Sequence, residues 1–202
     1  MKLILFPAVA AALAAMSGVA LAETAVSAVA DLNVRAGPGP QYPVIGVLAA
    51  GQSATLEGCI ANSKWCTIAE TNGRGWIYSD YVTADFGGNA VVLTRRPADA
   101  DIAIVEQPDD SDYPDNYTGA IISAEPVDPV EPIARPPAEV GTYISTHRLD
   151  PVYLDGEVVT GATLPDSVEL REIPDYNYRY VYVNNQPALV DPGTRRIVYV
   201  VR

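Results

Sequence analysis

The chain has 202 residues, with 13 Lys plus Arg against 25 Asp plus Glu and a formal net charge of −12. That acidic balance excludes a nucleic-acid partner, whose phosphates need a basic surface, and adhesion to an anionic bilayer. A single histidine and two cysteines also leave too few ligands for a structural zinc.

The first 22 residues carry one charge, Lys2, then an apolar run from Leu3 to Ala15 and small residues ending in Ala20 Leu21 Ala22. This is the pattern of a secretory signal peptide cleaved at about Ala22. The apolar run is short for a membrane span, and nothing later approaches the needed length, so no membrane span is expected. The expected mature protein starts at Glu23 and is periplasmic or secreted, and no cysteine follows the cleavage site to carry a lipid.

Residues 23–90 alternate short β-rich runs with turn signals, the pattern of a small barrel or sandwich. Ala25 to Val34 supplies alternating Val26, Ala28, Ala30 and Leu32, and Gly37 Pro38 Gly39 Pro40 forces a loop. Val44–Leu48, Ala54–Cys59, Trp65–Ala69 and Gly75–Tyr78 read as further strands, and Tyr81 Val82 closes the set. Between Cys59 and Cys66, Asn62 Ser63 suits a hairpin turn. Facing positions on adjacent strands come close enough to bridge, so a Cys59–Cys66 disulfide is expected in an oxidising compartment.

The block Asp31 Leu32 Asn33 Val34 Arg35 Ala36 Gly37 Pro38 Gly39 Pro40, answered by Gly73 Arg74 Gly75 Trp76 Ile77, resembles the bacterial SH3 (SH3b) family over about residues 24–84. The resemblance implies a small β-barrel that binds peptide-like or cell-wall ligands without catalysing a reaction. Asn33 and Arg35 match the family's Asn-Val-Arg motif and are expected to tie the loop to the barrel through backbone hydrogen bonds. Gly37 and Gly75 are read as serving backbone geometry.

Residues 91–139 form an acidic, Pro-rich linker: positions 97–139 hold 11 Asp or Glu, one basic residue (Arg135) and eight prolines. Fixed φ angles and repelling carboxylates predict an extended spacer, in which Ile121 Ile122 is too brief to seed a core. Calcium binding by Asp109, Asp110, Asp112 and Asp115 is a weaker reading, because the glycine and terminal Glu of an EF-hand loop are missing.

From residue 140 to 202 the sequence predicts a second β-rich unit. Val168–Ile173 reads as a strand, and Tyr178–Val183, Ala188–Val190 and Ile197–Val201 as a meander turned at Asn184 Asn185 and at Asp191 Pro192 Gly193 Thr194. Both faces of that meander are apolar, so it needs cover from the 143–173 segment or from a partner. Tyr176, Tyr178, Tyr180 and Tyr182 recur at period two and share one face, a packing stripe by preference. Gly161 Ala162 Thr163 Leu164 Pro165, Tyr180–Val183, Val190 Asp191 Pro192 and Arg196 Ile197 Val198 resemble an uncharacterised exported domain of unknown function found behind SH3b modules. They also resemble, distantly, the hairpin domain of periplasmic nickel and cobalt homeostasis proteins, with no metal role carried over.

The fold class is therefore all-β: an SH3-like barrel, a linker and a small β-rich meander. No catalytic residue, metal ligand or cofactor is assigned. His147 lacks a G-x-S-x-G serine partner and reads as a surface or capping residue, and the scattered carboxylates lack the spacing of a glycosidase. The candidate ligand-binding residues are Tyr42, Trp65, Trp76, Tyr78 and Tyr81, since aromatic grooves accept peptides or stack on sugars. For Trp65, Trp76 and Tyr81 the competing reading is core filling. The function expected is that of an exported, non-enzymatic binding protein recognising peptidoglycan peptides or an envelope protein. The alternatives are a structural envelope-assembly protein docking through its carboxyl-terminal meander, and a periplasmic metal-responsive protein. A groove filled by the protein's own chain would instead mean self-occlusion.

Overall fold

Period-two burial along short strands builds a nearly all-β molecule. The computed structural model describes residues 24–70, 73–106, 122 and 133–202; the expected signal peptide, residues 1–22, and Asp109, Asp110, Asp112 and Asp115 lie outside them. The amino-terminal sheet contains β1 (Thr24–Ala28), β2 (Leu32–Arg35), β3 (Val44–Leu48), β4 (Ser53–Ile60), β5 (Trp65–Glu70), β6 (Gly73–Tyr78), β7 (Val82–Phe86) and β8 (Asn89–Val92). Their spatial order is β3-β2-β6-β5-β4-β1-β7-β8. The long β4 is shared, pairing with β1 on one side and with β5 on the other. Asn62, at φ 58°, turns the β4–β5 hairpin, so that Cys59 faces Cys66 and the two form the disulfide expected from their spacing.

The segment read as a spacer opens with ordered chain. Leu93 is fully buried in a short 3-10 turn, and β9 (Ile104–Val105) runs parallel to the end of β4. Gly58 permits this approach, because a Cβ there would lie 2.7 Å from the Ala103 carbonyl oxygen and from Val105. Ile122 is 1% exposed, and its N–H donates to the Asp155 carbonyl at 2.8 Å. Too short to seed a core, this residue is nonetheless recruited into one.

The carboxyl-terminal part opens with a helix, α1 (Ala138–Thr146), at the start of a unit that the sequence predicts only as β-rich, with its first strand at Val168. Gly141 and the β-branched Val140, Thr142, Ile144 and Thr146 are weak helix formers, so tertiary packing outweighs propensity here. A four-stranded meander follows: β10 (Arg171–Glu172), β11 (Arg179–Val183), β12 (Gln186–Val190) and β13 (Ile197–Val200). Asn184 and Asn185 both adopt left-handed φ, at 51° and 64°, in the two-residue β11–β12 turn.

Both apolar faces of the meander are covered. On one, Tyr180, Tyr182, Leu189 and Val198 pack with Val140 and Ile144 of α1. The Tyr180 hydroxyl donates to the His147 carbonyl at 2.8 Å and the Tyr182 hydroxyl to the Ile144 carbonyl at 3.1 Å. Half of the tyrosine stripe thereby satisfies carbonyls that the helix end leaves without an intrahelical donor. On the other face, Val181, Val183, Ala188, Val190, Ile197 and Val200 belong to one continuous apolar cluster with Val26, Leu32, Val34, Ile68, Ile77 and Val82 of the amino-terminal sheet. The two halves share a core.

Candidate functional site

The five aromatic candidates do not line an open groove. Tyr42, Trp65, Trp76, Tyr78 and Tyr81 are each 5% exposed or less. Trp65 meets Tyr78 edge-on with ring centroids 5.3 Å apart, and Tyr78 lies 6.2 Å from Tyr81. The Tyr42 ring lies over Gly37, where a Cβ would come within 2.1 Å of it. Gly37 thus serves ring packing, since its φ is not in the left-handed range.

At the junction of the two halves Arg35 is 1% exposed and Glu157 is 0% exposed. Strand β2 carries Asn33 and Arg35 to one face, as the period of two requires. The guanidinium takes Glu157 as a fork: Nε donates to Oε2, and Nη2 donates to Oε1 at 2.6 Å. Its remaining arm, Nη1, donates to the carbonyls of Pro40 at 2.9 Å and Tyr42 at 2.7 Å. The loop tie expected of the Asn-Val-Arg motif is therefore made by Arg35. Asn33 points its amide elsewhere, and Nδ2 donates to Glu157 Oε1 at 2.9 Å and to Gln186 Oε1 at 2.8 Å. Every strong side-chain bond of this motif outside the loop goes to the carboxyl-terminal half.

Glu157 is aimed by its own neighbours. Asn184 holds the preceding chain through Oδ1, which accepts from Leu154 N at 2.9 Å, and through Nδ2, which donates to the carbonyls of Leu154 and Gly156. Gly156 takes φ +113°, a conformation L side chains rarely adopt, and packs beneath Ile122. Glu157 Oε1 also accepts from Val158 N at 2.8 Å, so the carboxylate is fixed by donors from both halves. At the rim Arg202 Nη2 donates to the Asp31 carbonyl at 3.1 Å.

Two polar atoms at this junction are buried without a hydrogen-bond partner among the described residues, Asn33 Oδ1 and the Tyr81 hydroxyl. Each such group costs about 1–3 kcal/mol relative to a satisfied one. Burial drives the phenols of Tyr78 and Tyr81 far above their ordinary range. Asp155, Asp80 and Glu157 reinforce the shift at Tyr78, and Asp80 and Glu157 do so at Tyr81. Glu157 and Gln186, which bond Asn33 and Arg35 at this junction, are residues that sequence reasoning missed. The available signal was an acid after glycine leading straight into Val158 Val159, an apolar setting in which a solvated carboxylate is out of place. No group of three or more His, Cys, Asp or Glu residues among the described residues is arranged to hold a metal ion, and His147 is exposed, stacked on Tyr143 with ring centroids 4.0 Å apart. No helix among the described residues is long and apolar enough to cross a membrane.

Comparison with known proteins locates two regions. A Bacillus subtilis (strain 168) protein, YrvJ, which carries the name of a putative N-acetylmuramoyl-L-alanine amidase, is 37% identical over 68 residues. The match covers 34% of this chain and 12% of that relative's length. No solved structure matches significantly. Family comparison matches residues 30–83 to the bacterial SH3 domain and residues 143–202 to the Domain of unknown function (DUF1236). The chain thus carries a bacterial SH3 domain followed by a DUF1236 domain.

Proposed function

We propose that this is an exported, non-enzymatic binding protein whose SH3 domain engages peptidoglycan peptides. The observation that carries the reading is the 68-residue similarity to a protein named for cleaving the cell wall, over a stretch about the length of a binding module. The Cys59–Cys66 disulfide fits an oxidising envelope compartment, where such bonds persist. The test is sedimentation of the mature chain, residues 23–202, with purified cell-wall sacculi. Co-pelleting that saturates supports the reading, and a chain that stays in the supernatant together with its Glu157→Gln variant removes it.

A second reading is favoured by the burial of Tyr42, Trp65, Trp76, Tyr78 and Tyr81. In it, the SH3 domain is a scaffold for the carboxyl-terminal half, and the assembly contacts an envelope protein through that half. It predicts no sacculus binding by either chain.

A further inference from the structure

We propose that Asn33 and Arg35 are a carboxylate-recognition site of the SH3 domain, filled in cis by the Glu157 loop, which a carboxylate-bearing extended peptide of the cell wall displaces. The proposal rests on the peptidoglycan reading only for the source of that peptide. Its first support is geometry: a guanidinium fork with two donors on the two oxygens of one carboxylate is how arginine recognises a carboxylate of any origin. The carboxylate it holds comes from 122 positions away in sequence, on a separate half of the molecule.

The second support is what the internal occupant leaves undone. Asn33 Oδ1, an acceptor, and the Tyr81 hydroxyl have no partners among the described residues, although Glu157 is bonded to Asn33 and its charge is felt at Tyr81. A peptide brings an N–H and a carbonyl on either side of an acidic side chain, the chemistry these two atoms lack. A third support is the attachment of the occupant. Residues 152–159 lie in no named strand, and they are tied to the β11–β12 hairpin by the Val152–Val183 bridge, by the Asn184 side chain and by the Tyr153 hydroxyl, which donates to Asn185 Oδ1 at 3.1 Å. In this proposal the loop leaves while the β11–β12 hairpin, which has its own five-pair ladder, stays folded. Burial of Leu154, Val158 and Val159 keeps the closed form dominant in the free protein.

A closed form populated about ten times more than the open one weakens the apparent affinity by about ten-fold. The test compares the mature wild type with Glu157→Gln, which keeps the side chain's size but weakens its hold on Arg35. Sedimentation with purified sacculi should show about ten-fold tighter binding by the variant, relieved by soluble tetrapeptide stem. Equal binding by the two chains overturns the proposal and leaves the peptidoglycan reading standing.

If neither chain pellets, the peptidoglycan reading falls, and thermal unfolding of Glu157→Ala in sodium propionate against sodium chloride at equal ionic strength decides the proposal. A propionate-specific rise in Tm in the variant and not in the wild type sustains a carboxylate site serving a peptide of another source. The same shift in both chains, or none in either, overturns it. Should Glu157→Ala fail to fold in chloride, recovery of its near-ultraviolet dichroism in propionate counts as the rise, and failure to recover overturns the proposal.

Discussion

Arg35 and Glu157 are an ion pair withdrawn almost completely from water. Such a pair repays its desolvation only through well-formed hydrogen bonds, and removing one member strands the other. Glu157→Ala is therefore expected to lower stability by about 3–5 kcal/mol, measured by urea unfolding. The double variant Arg35→Met with Glu157→Leu should recover most of that loss, because no buried charge is left unpaired. The pair also marks a boundary of what sequence reasoning can see. Arg35 stood out through its motif, and its bonds to the loop carbonyls of Pro40 and Tyr42 were legible because they span only five and seven residues. Its bonds to Glu157 were not, because nothing local distinguishes one acid among many as the partner of a distant arginine.

Secondary-structure elements were read most clearly where chemistry is local. The Cys59–Cys66 hairpin follows from two cysteines flanking a turn, and the Asn184 Asn185 turn from residues that tolerate positive φ. A serine substitution at both cysteines should cost about 2–3 kcal/mol by the loop-entropy estimate for so short a ring. Calorimetry of the oxidised and substituted chains would check this, and the substitution should also loosen β9, which hydrogen-bonds beside Cys59. Helix α1 escaped notice for a physical reason. Its composition favours strand, and it forms because Val140 and Ile144 find Tyr180, Tyr182 and Leu189 while two tyrosine hydroxyls satisfy carbonyls at its end.

Across the whole molecule, one apolar cluster joins the amino-terminal sheet, Ile122 and the meander. Unfolding should therefore be a single transition, coincident in far- and near-ultraviolet dichroism, despite the two matched domains. The buried phenols set its alkaline limit. Tyr78 and Tyr81 hold their protons in the folded state well above the ordinary phenol value of about 10. Their contribution to stability is complete below that value and is lost as pH rises from it toward the higher folded-state value, because only the unfolded chain releases the protons. A pH titration should show a fraction of tyrosinate absorbance appearing together with loss of near-ultraviolet dichroism. Full ionisation of all tyrosines before unfolding would contradict it. The shared core was the least legible level, since the composition of residues 97–139 reads as separation and gives no sign that Ile122 is drawn into the junction.

The seat of the Tyr42 ring on Gly37 supplies a remote handle on the junction. Tyr42 offers its carbonyl to Arg35 while its ring rests where a Gly37 side chain would stand. A single methyl at position 37 pushes the ring away, and the carbonyl on which one arm of the guanidinium leans moves with it. Gly37→Ala should cost about 1–3 kcal/mol as an overpacked site. Because it leaves every charge in place, it would also loosen the grip on Glu157 from the far side of the arginine. Sacculus binding that rises in Gly37→Ala as it does in Glu157→Gln would show that the loop after β2 and the Glu157 loop report to the same hinge point, the guanidinium between them.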